Sequence, residues 1–147
     1  MTKAETVDCP TLTEISKAAK AHWGYAQEWL DLWDADLTIT PKLMEEGLIY
    51  KLTNSEEILG FCVILEEEKV LEIEHLWIRP KHIGKGLGKF LLQKVLDLVI
   101  TKSHVTLSVV ADPNATGFYE KFGLKTVKYI PSQPEGRKLP LMQLPLN

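Results

Sequence analysis

The sequence predicts an α+β (mixed α/β) fold, a central sheet with helices on both faces. Three observations predict it. Helical periodicity dominates residues 11–46. Three β-rich runs separated by polar turns follow, as antiparallel neighbours require. A long apolar helix, a strand, a short helix and a further strand then alternate, the mark of a parallel crossover.

Each element has its own signal. Residues 1–10 show no periodicity and are expected to fray. Thr11 or Thr13 is placed to cap a helix, with Glu14 at capping-box spacing from Thr11. Leu12, Ile15, Ala18, Ala19, His22 and Trp23 recur at helical spacing until Gly24 interrupts. Residues 25–34 form a second short helix with Trp29, Leu30 and Trp33 on one side, so the two make an αα-hairpin. Residues 37–39 are an extended bridge. Thr40-Pro41 opens a third helix, a cap followed by proline, and Gly47 ends it. Strands are predicted over 48–53, 58–65 and 70–78, joined by the polar turns 54–57 and 66–69. Residues 87–100 are a strongly apolar helix with Leu87, Phe90, Leu91, Val95, Leu98 and Val99 on one face. Residues 104–110 are a strand, 112–114 a turn and cap, 115–122 a short helix stopped by Gly123, and 124–130 a strand. A Pro/Gly loop over 131–136 leads to an extended apolar segment, 139–146, weakened by Pro140 and Pro145. That segment suits a sheet edge or a homodimer contact. Strands 70–78 and 104–110 flank the crossover helix, so they should be parallel and right-handed. No repeat or second domain is visible, and residues 1–147 read as one domain.

Composition narrows the function. Apolar residues make up 45% and charged residues 25% of the 147, an ordinary globular balance. A net charge of −3 without a basic block gives no reason to expect a nucleic-acid partner. The longest apolar run, 61–65, is too short for a membrane span, and the polar, acidic N-terminus is not a signal peptide. Cys9 and Cys62 form neither a disulfide framework nor a metal motif, and Cys62 sits mid-strand among apolar residues, so no metal is expected. The cytoplasm is the expected compartment.

The chemistry concentrates after strand 70–78. Gly84, Gly86 and Gly88 alternate between a strand end and a helix start, where backbone N–H groups face an anion without side chains in the way. The spacing suits a pyrophosphate. It is not a P-loop, because Gly84-Lys85 is followed by Gly86 rather than a hydroxyl residue. It is not a dinucleotide fingerprint, because Lys89 stands where the third glycine belongs. A second constellation lies some 30 residues on: Asp112-Pro113-Asn114-Ala115-Thr116-Gly117-Phe118-Tyr119-Glu120-Lys121-Phe122-Gly123.

Together these stretches resemble the GNAT superfamily of N-acetyltransferases. Leu76-x-Ile78-x-Pro80 followed by Gly84-x-Gly86-x-Gly88 resembles its acetyl-CoA motif, and the run from Asn114 to Gly123 its second motif. The resemblance implies a mostly antiparallel sheet splayed at one pair of parallel strands. It also implies transfer of an acetyl group from acetyl-CoA to a primary amine, on a small molecule or a peptide, by direct attack in a ternary complex. Leu76, Trp77, Ile78, Gly84, Lys85, Gly86, Leu87, Gly88, Lys89, Asn114 and Tyr119 would then hold the coenzyme. A backbone N–H within 76–78 would polarise the carbonyl, and Tyr119 would protonate the departing thiolate. Asn114 would bond the pantetheine arm or simply cap a helix. The family usually carries Arg or Gln where this chain has Ile83; Lys81, His82, Lys85 or Lys89 could supply positive charge instead, and the backbone N–H groups of Gly84 to Gly88 remain available, so weaker or re-routed binding is expected.

Strict alternation puts Glu72, Glu74, Leu76 and Ile78 on one face of the strand, and Ile73, His75 and Trp77 on the other. Glu74, then Glu72, are the candidate general bases, with a solvated salt-bridge face as the plain alternative; His75 follows as base or packed histidine. Trp23 and Tyr25, at the joint of the first two helices, are candidate acceptor contacts. Trp29, Trp33, Asp31, Asp34 and Asp36 would complete an aromatic, acidic wall for a cationic amine, or the tryptophans pack the helices. The competing function is a non-catalytic acyl-CoA sensor or partner-binding domain on the same fold.

Overall fold

The computed structural model describes residues 1–146. A seven-stranded sheet runs in the order β1-β2-β3-β4-β5-β7-β6. Its strands are β1 (Thr2–Lys3), β2 (Leu48–Thr53), β3 (Ile58–Glu67), β4 (Val70–Ile78), β5 (Thr106–Val110), β6 (Lys125–Pro131) and β7 (Lys138–Pro145). Every neighbouring pair is antiparallel except β4 and β5, which are parallel. The helices are α1 (Cys9–His22), α2 (Gln27–Leu32), α3 (Asp34–Leu37), α4 (Pro41–Glu46), α5 (Leu87–Val99) and α6 (Thr116–Phe122). Among the described residues no helix is long and apolar enough to cross a membrane.

The sheet separates two cores. On one face Leu91, Leu92, Val95, Leu96 and Val99 of α5 pack against Cys62, Ile64, Leu71, Ile73, Leu107 and Val109. On the other, Cys9, Leu12 and Ile15 of α1 pack against Phe61, Val63 and Ile49. The face read for α5 holds at Leu91, Val95 and Val99, but Phe90 and Leu98 are exposed.

Four segments depart from the sequence reading, the first being residues 34–37, expected as a helix end and the start of an extended bridge but forming the separate helix α3. Residues 1–10 do not fray: Thr2 and Lys3 pair with Lys51 and Tyr50, Ala4 N–H bonds the Ile49 carbonyl, and Lys51 meets Asp8 at 2.8 Å. A two-residue strand carries no periodicity, so its pairing was invisible. Helix α1 opens at Cys9 with Pro10 in its first turn, so neither threonine caps it. Thr13 instead accepts the Ile39 N–H at 2.9 Å, and the Ser16 hydroxyl donates to the Leu37 carbonyl, fixing the bridge between α3 and α4 onto α1. The C-terminal segment is no edge: β7 lies between β5 and β6, and β6 is outermost.

Strand β4 decides where the site lies. Val63 pairs with His75 but Ile64 pairs with Ile73, so Glu74 is an extra residue without a partner on β3. Such a bulge reverses side-chain alternation beyond it. Leu71, Ile73, Leu76 and Ile78 therefore belong to the α5 face, while Trp77 packs on the α1 face, where the His75 ring lies 6.1 Å from that of Phe61. Glu72, paired with Leu65, falls on the α1 side as well. The expected common face for Glu72, Glu74, Leu76 and Ile78 is thus corrected. Pairing between β4 and β5 runs from Val70↔Thr106 to Ile73↔Val109 and stops at the bulge.

Beyond the bulge, Gly60 of β3 sits opposite Ile78. A Cβ there would lie 2.5 Å from both the Trp77 carbonyl oxygen and the Ile78 side chain. Gly60→Ala is expected to force β3 and β4 apart and to cost about 1–3 kcal/mol, as overpacking does. An unchanged urea midpoint would contradict this close approach.

Candidate active site

Where β4 and β5 part, a cleft of about 480 Å³ opens. One wall is β4 from Ile73 to Ile78, another the loop and helix start from His82 to Lys89. The end of β5 and the start of α6, including Asp112, Asn114, Phe118 and Tyr119, form the third. Ala19, Lys20 and Trp23 close it from α1.

The β4 wall is an unpaired sheet edge. Past Ile73 it has no β5 partner, so its backbone groups on that side are open to a ligand that lies along the strand. Gly84 and Gly86 adopt φ of +89° and +78°, left-handed conformations that resist a side chain. A Cβ at either would meet nothing within 4 Å, so backbone there borders open space. Gly86 precedes α5 without a side-chain cap, and Phe90 N–H is bonded to its carbonyl at 3.1 Å. The N–H groups of Leu87, Gly88 and Lys89 therefore precede the first helical bond and suit an anion.

Side-chain charge contributes less than expected. Glu57 gathers Lys81 at 2.9 Å, His82 at 3.3 Å and Arg79 at 3.4 Å. Arg79 also reaches Glu14 at 3.0 Å, and Lys85 contacts His82 Nδ1 at 3.0 Å. Bonding to Lys81 and then His82 holds the Glu57 carboxyl below the usual range. Of the four proposed substitutes for the residue at Ile83, only Lys89 makes no such contact among the described residues, and it lines the cleft. Ile83 lines it too, 43% exposed.

Tyr119 is 6% exposed, and burial pushes its phenol well above the usual value, with Cys62 adding to the shift. Its hydroxyl bonds no other described residue, yet no buried side-chain oxygen or nitrogen there is left without a partner. The hydroxyl therefore reaches the cleft. Cys62 is fully buried and its thiol is pushed up to about 12, so it is a core residue and not a nucleophile.

Glu74, the bulged residue, is exposed at the cleft wall. Partial desolvation, then Glu72 and Asp36, push its carboxyl above the usual range. Glu72 itself does not line the cleft. His75 lines it but is buried, which lowers its imidazole to about 4, and its Nδ1 accepts Trp77 Nε1–H at 2.9 Å.

The acceptor wall differs from the sequence reading. Trp23 lines the cleft, 40% exposed. Tyr25 does not; its hydroxyl bonds Asp112 at 3.0 Å and receives Asn114 Nδ2 and Arg137, each at 3.1 Å. Trp33 is buried, and its ring holds the chain's own cations, Lys20 at 4.6 Å and Arg137 at 4.5 Å. Asp112 caps the short 3-10 turn Pro113–Ala115 that leads into α6, accepting the Asn114 N–H at 2.8 Å; Asn114 is not a cap. Lys20, Asp112 and Arg137 were missed because they lie 92 and 25 residues apart, at no motif spacing.

A sheet opened at its parallel pair beside a glycine-rich helix start defines a mixed α/β fold with an anion-suited cleft at the opening. The chain belongs to the acetyltransferase (GNAT) family, whose model matches residues 11–124. It is 30% identical over 103 residues to the peptidyl-lysine N-acetyltransferase YjaB of Salmonella typhimurium, a match spanning 69% of this chain and 66% of that one, just under two thirds of its length. The fold is similar to PaiA N-acetyltransferase from Thermoplasma acidophilum in complex with coenzyme A (TM-score 0.78, 20% identity, 97% and 96% of the two chains). It is also similar to the putative acetyltransferase yncA from Salmonella typhimurium with acetyl-CoA (TM-score 0.66, 18% identity, 99% and 92%).

The open N–H groups and Lys89 predict that Lys89→Ala weakens coenzyme A binding by about tenfold, roughly one charged hydrogen bond. Lys85→Ala, whose ammonium is turned to His82, should change it by less than about twofold. Calorimetric titration with coenzyme A checks both, and equal losses would contradict the division.

Proposed function

We propose that residues 1–147 act as one catalytic domain that transfers an acetyl group from acetyl-CoA to a primary amine by direct attack in a ternary complex. The observation that carries this reading is one cleft onto which an unpaired strand edge, an uncapped helix start and an unpartnered tyrosine hydroxyl converge. An anionic, strand-like ligand fits that combination. Acetyl-CoA supplies an acyl group activated as a thioester.

The residues then divide the work. The backbone of Gly84–Lys89 holds the pyrophosphate, and the free edge at Leu76–Ile78 pairs with the pantetheine arm. Trp77 and Asn114 flank that arm; Asn114 spends its amide donors on Asp112 and Tyr25, so its carbonyl oxygen is the group that accepts. A backbone N–H at Leu76–Ile78 polarises the carbonyl. Glu74 first takes a proton from the acceptor ammonium, so that the neutral amine can attack the carbonyl; the second proton the nitrogen sheds as the C–N bond forms balances the one given to sulfur. Tyr119 gives its proton to the sulfur as the C–S bond breaks. Glu74 is preferred to Glu72, which lies outside the cleft, and to His75, whose Nδ1 lone pair is engaged by Trp77. Trp23 provides an apolar acceptor contact. The YjaB match and the open cleft support an amine on a peptide or a small molecule.

Because the carboxylate of Glu74 is the active form and its pKa is raised, kcat/KM should fall as pH drops through a value above the ordinary carboxylate range. Glu74→Gln should lower the rate and abolish that acid limb. Tyr119→Phe should lower kcat by about a hundredfold with coenzyme binding intact. Thiol release from acetyl-CoA with a panel of amines measures all three. Binding without release on every amine would instead support the sensor reading.

A further inference from the structure

One buried charge cluster at the cleft has no part in these steps. Lys20, Asp112 and Arg137 have side chains only 11%, 8% and 10% exposed. Lys20 pairs with Asp112, and Arg137 lies 3.6 Å from the same carboxylate. That carboxylate is saturated, since the Tyr25 hydroxyl and both the backbone and side-chain amides of Asn114 also donate to it. The rings of Trp33 and Tyr25 lie within 5.4 Å of both cations and cover one side of them. Two buried cations thus share one anion. Buried charges are normally matched, so the cluster is one negative charge short.

Its position gives that deficit a use. Lys20 and Asp112 line the cleft, and so does Glu74, which has Glu72 and Asp36 as like-charged neighbours. The cleft therefore has a negative site at Glu74 and an anion-seeking site at Lys20. Lys20 has three donors and spends one on Asp112. Arg137 does not line the cleft and acts as a positioning residue that sustains the excess charge.

We propose that Lys20 recognises an anionic group on the acceptor, so that the preferred acceptor is an amine that also bears a carboxylate. The amine end lies toward Glu74 and the carboxylate end at Lys20. This rests on the acetyl-transfer reading. The competing account is that the cluster only clamps α1 to the β5–α6 turn and the loop before β7.

Calorimetry on the protein saturated with coenzyme A separates the two, using amines that differ only by a carboxylate: glycine and methylamine, L-lysine and cadaverine, L-phenylalanine and phenethylamine. In at least one pair the carboxylate member is expected to bind about tenfold more tightly. Lys20→Met should remove that preference and Lys20→Arg should keep it. Equal or absent binding across every pair in the unaltered protein overturns the proposal, as does a preference that survives Lys20→Met. The wild-type comparison stands even if a variant fails to fold. Thiol release with the same amines is read separately: its absence alongside a carboxylate preference would sink acetyl transfer and leave the charge recognition standing.

Discussion

One extra residue in β4 controls the architecture of the site. With Glu74 unpaired on β3, the strand bends and leaves the β5 ladder after Ile73. Its backbone groups beyond that point must find water or a ligand, because an unpaired polar edge is costly to bury. The two cores hold the opening from either side. The α5 core grips β4 through Leu71 and Ile73 before the bulge, and the α1 core grips it through Trp77 after the bulge. Gly60, with no room for a methyl, lets β3 follow β4 past the bulge.

Charge around the cleft follows from the same economy of backbone. The cations of residues 79–82 are gathered by Glu57 and Glu14, so they brace the turn between β4 and α5. That leaves the backbone N–H groups at the start of α5 and Lys89 as uncommitted donors beside the cleft among the described residues. In the proposed coenzyme site a backbone cradle would tolerate Ile83 where the resemblance implies Arg or Gln. It would do so because left-handed Gly84 and Gly86 and the start of α5 set the donors' positions, independent of the neighbouring side chain.

Much of this was legible in the sequence. Helical and alternating periods located α1, α5 and β2 to β4, and the glycine run marked the cleft because few other roles need three alternating glycines. What escaped depends on contacts across the sheet or across the chain. Period-2 reading of Glu72 to Ile78 assumes an unbroken ladder, and a bulge is fixed by the partner strand's register, which β4's own residues do not reveal. The interior place of β7, between β5 and β6, was hidden by Pro140 and Pro145, which suggested an edge. Trp33 and Tyr25 looked like a cage for a foreign cation. Nothing local announced that Lys20 and Arg137, 117 residues apart, would fill it.

The bulge also ties acceptor chemistry to donor geometry. A carboxylate on a regular strand position would either pack into a core or point to open water. In the first place it would need a partner, and in the second it would keep an ordinary pKa. Glu74 does neither, because the residue expelled from the ladder sits at the rim, partly desolvated and beside Glu72 and Asp36. The irregularity that frees the β4 edge therefore also makes the raised carboxyl that the proposed proton transfer uses. Moving the bulge by one residue would shift both at once: it would close part of the free edge and put a different side chain at the rim. The site is thus specified less by the identity of any one side chain than by the register at which β4 stops pairing with β5.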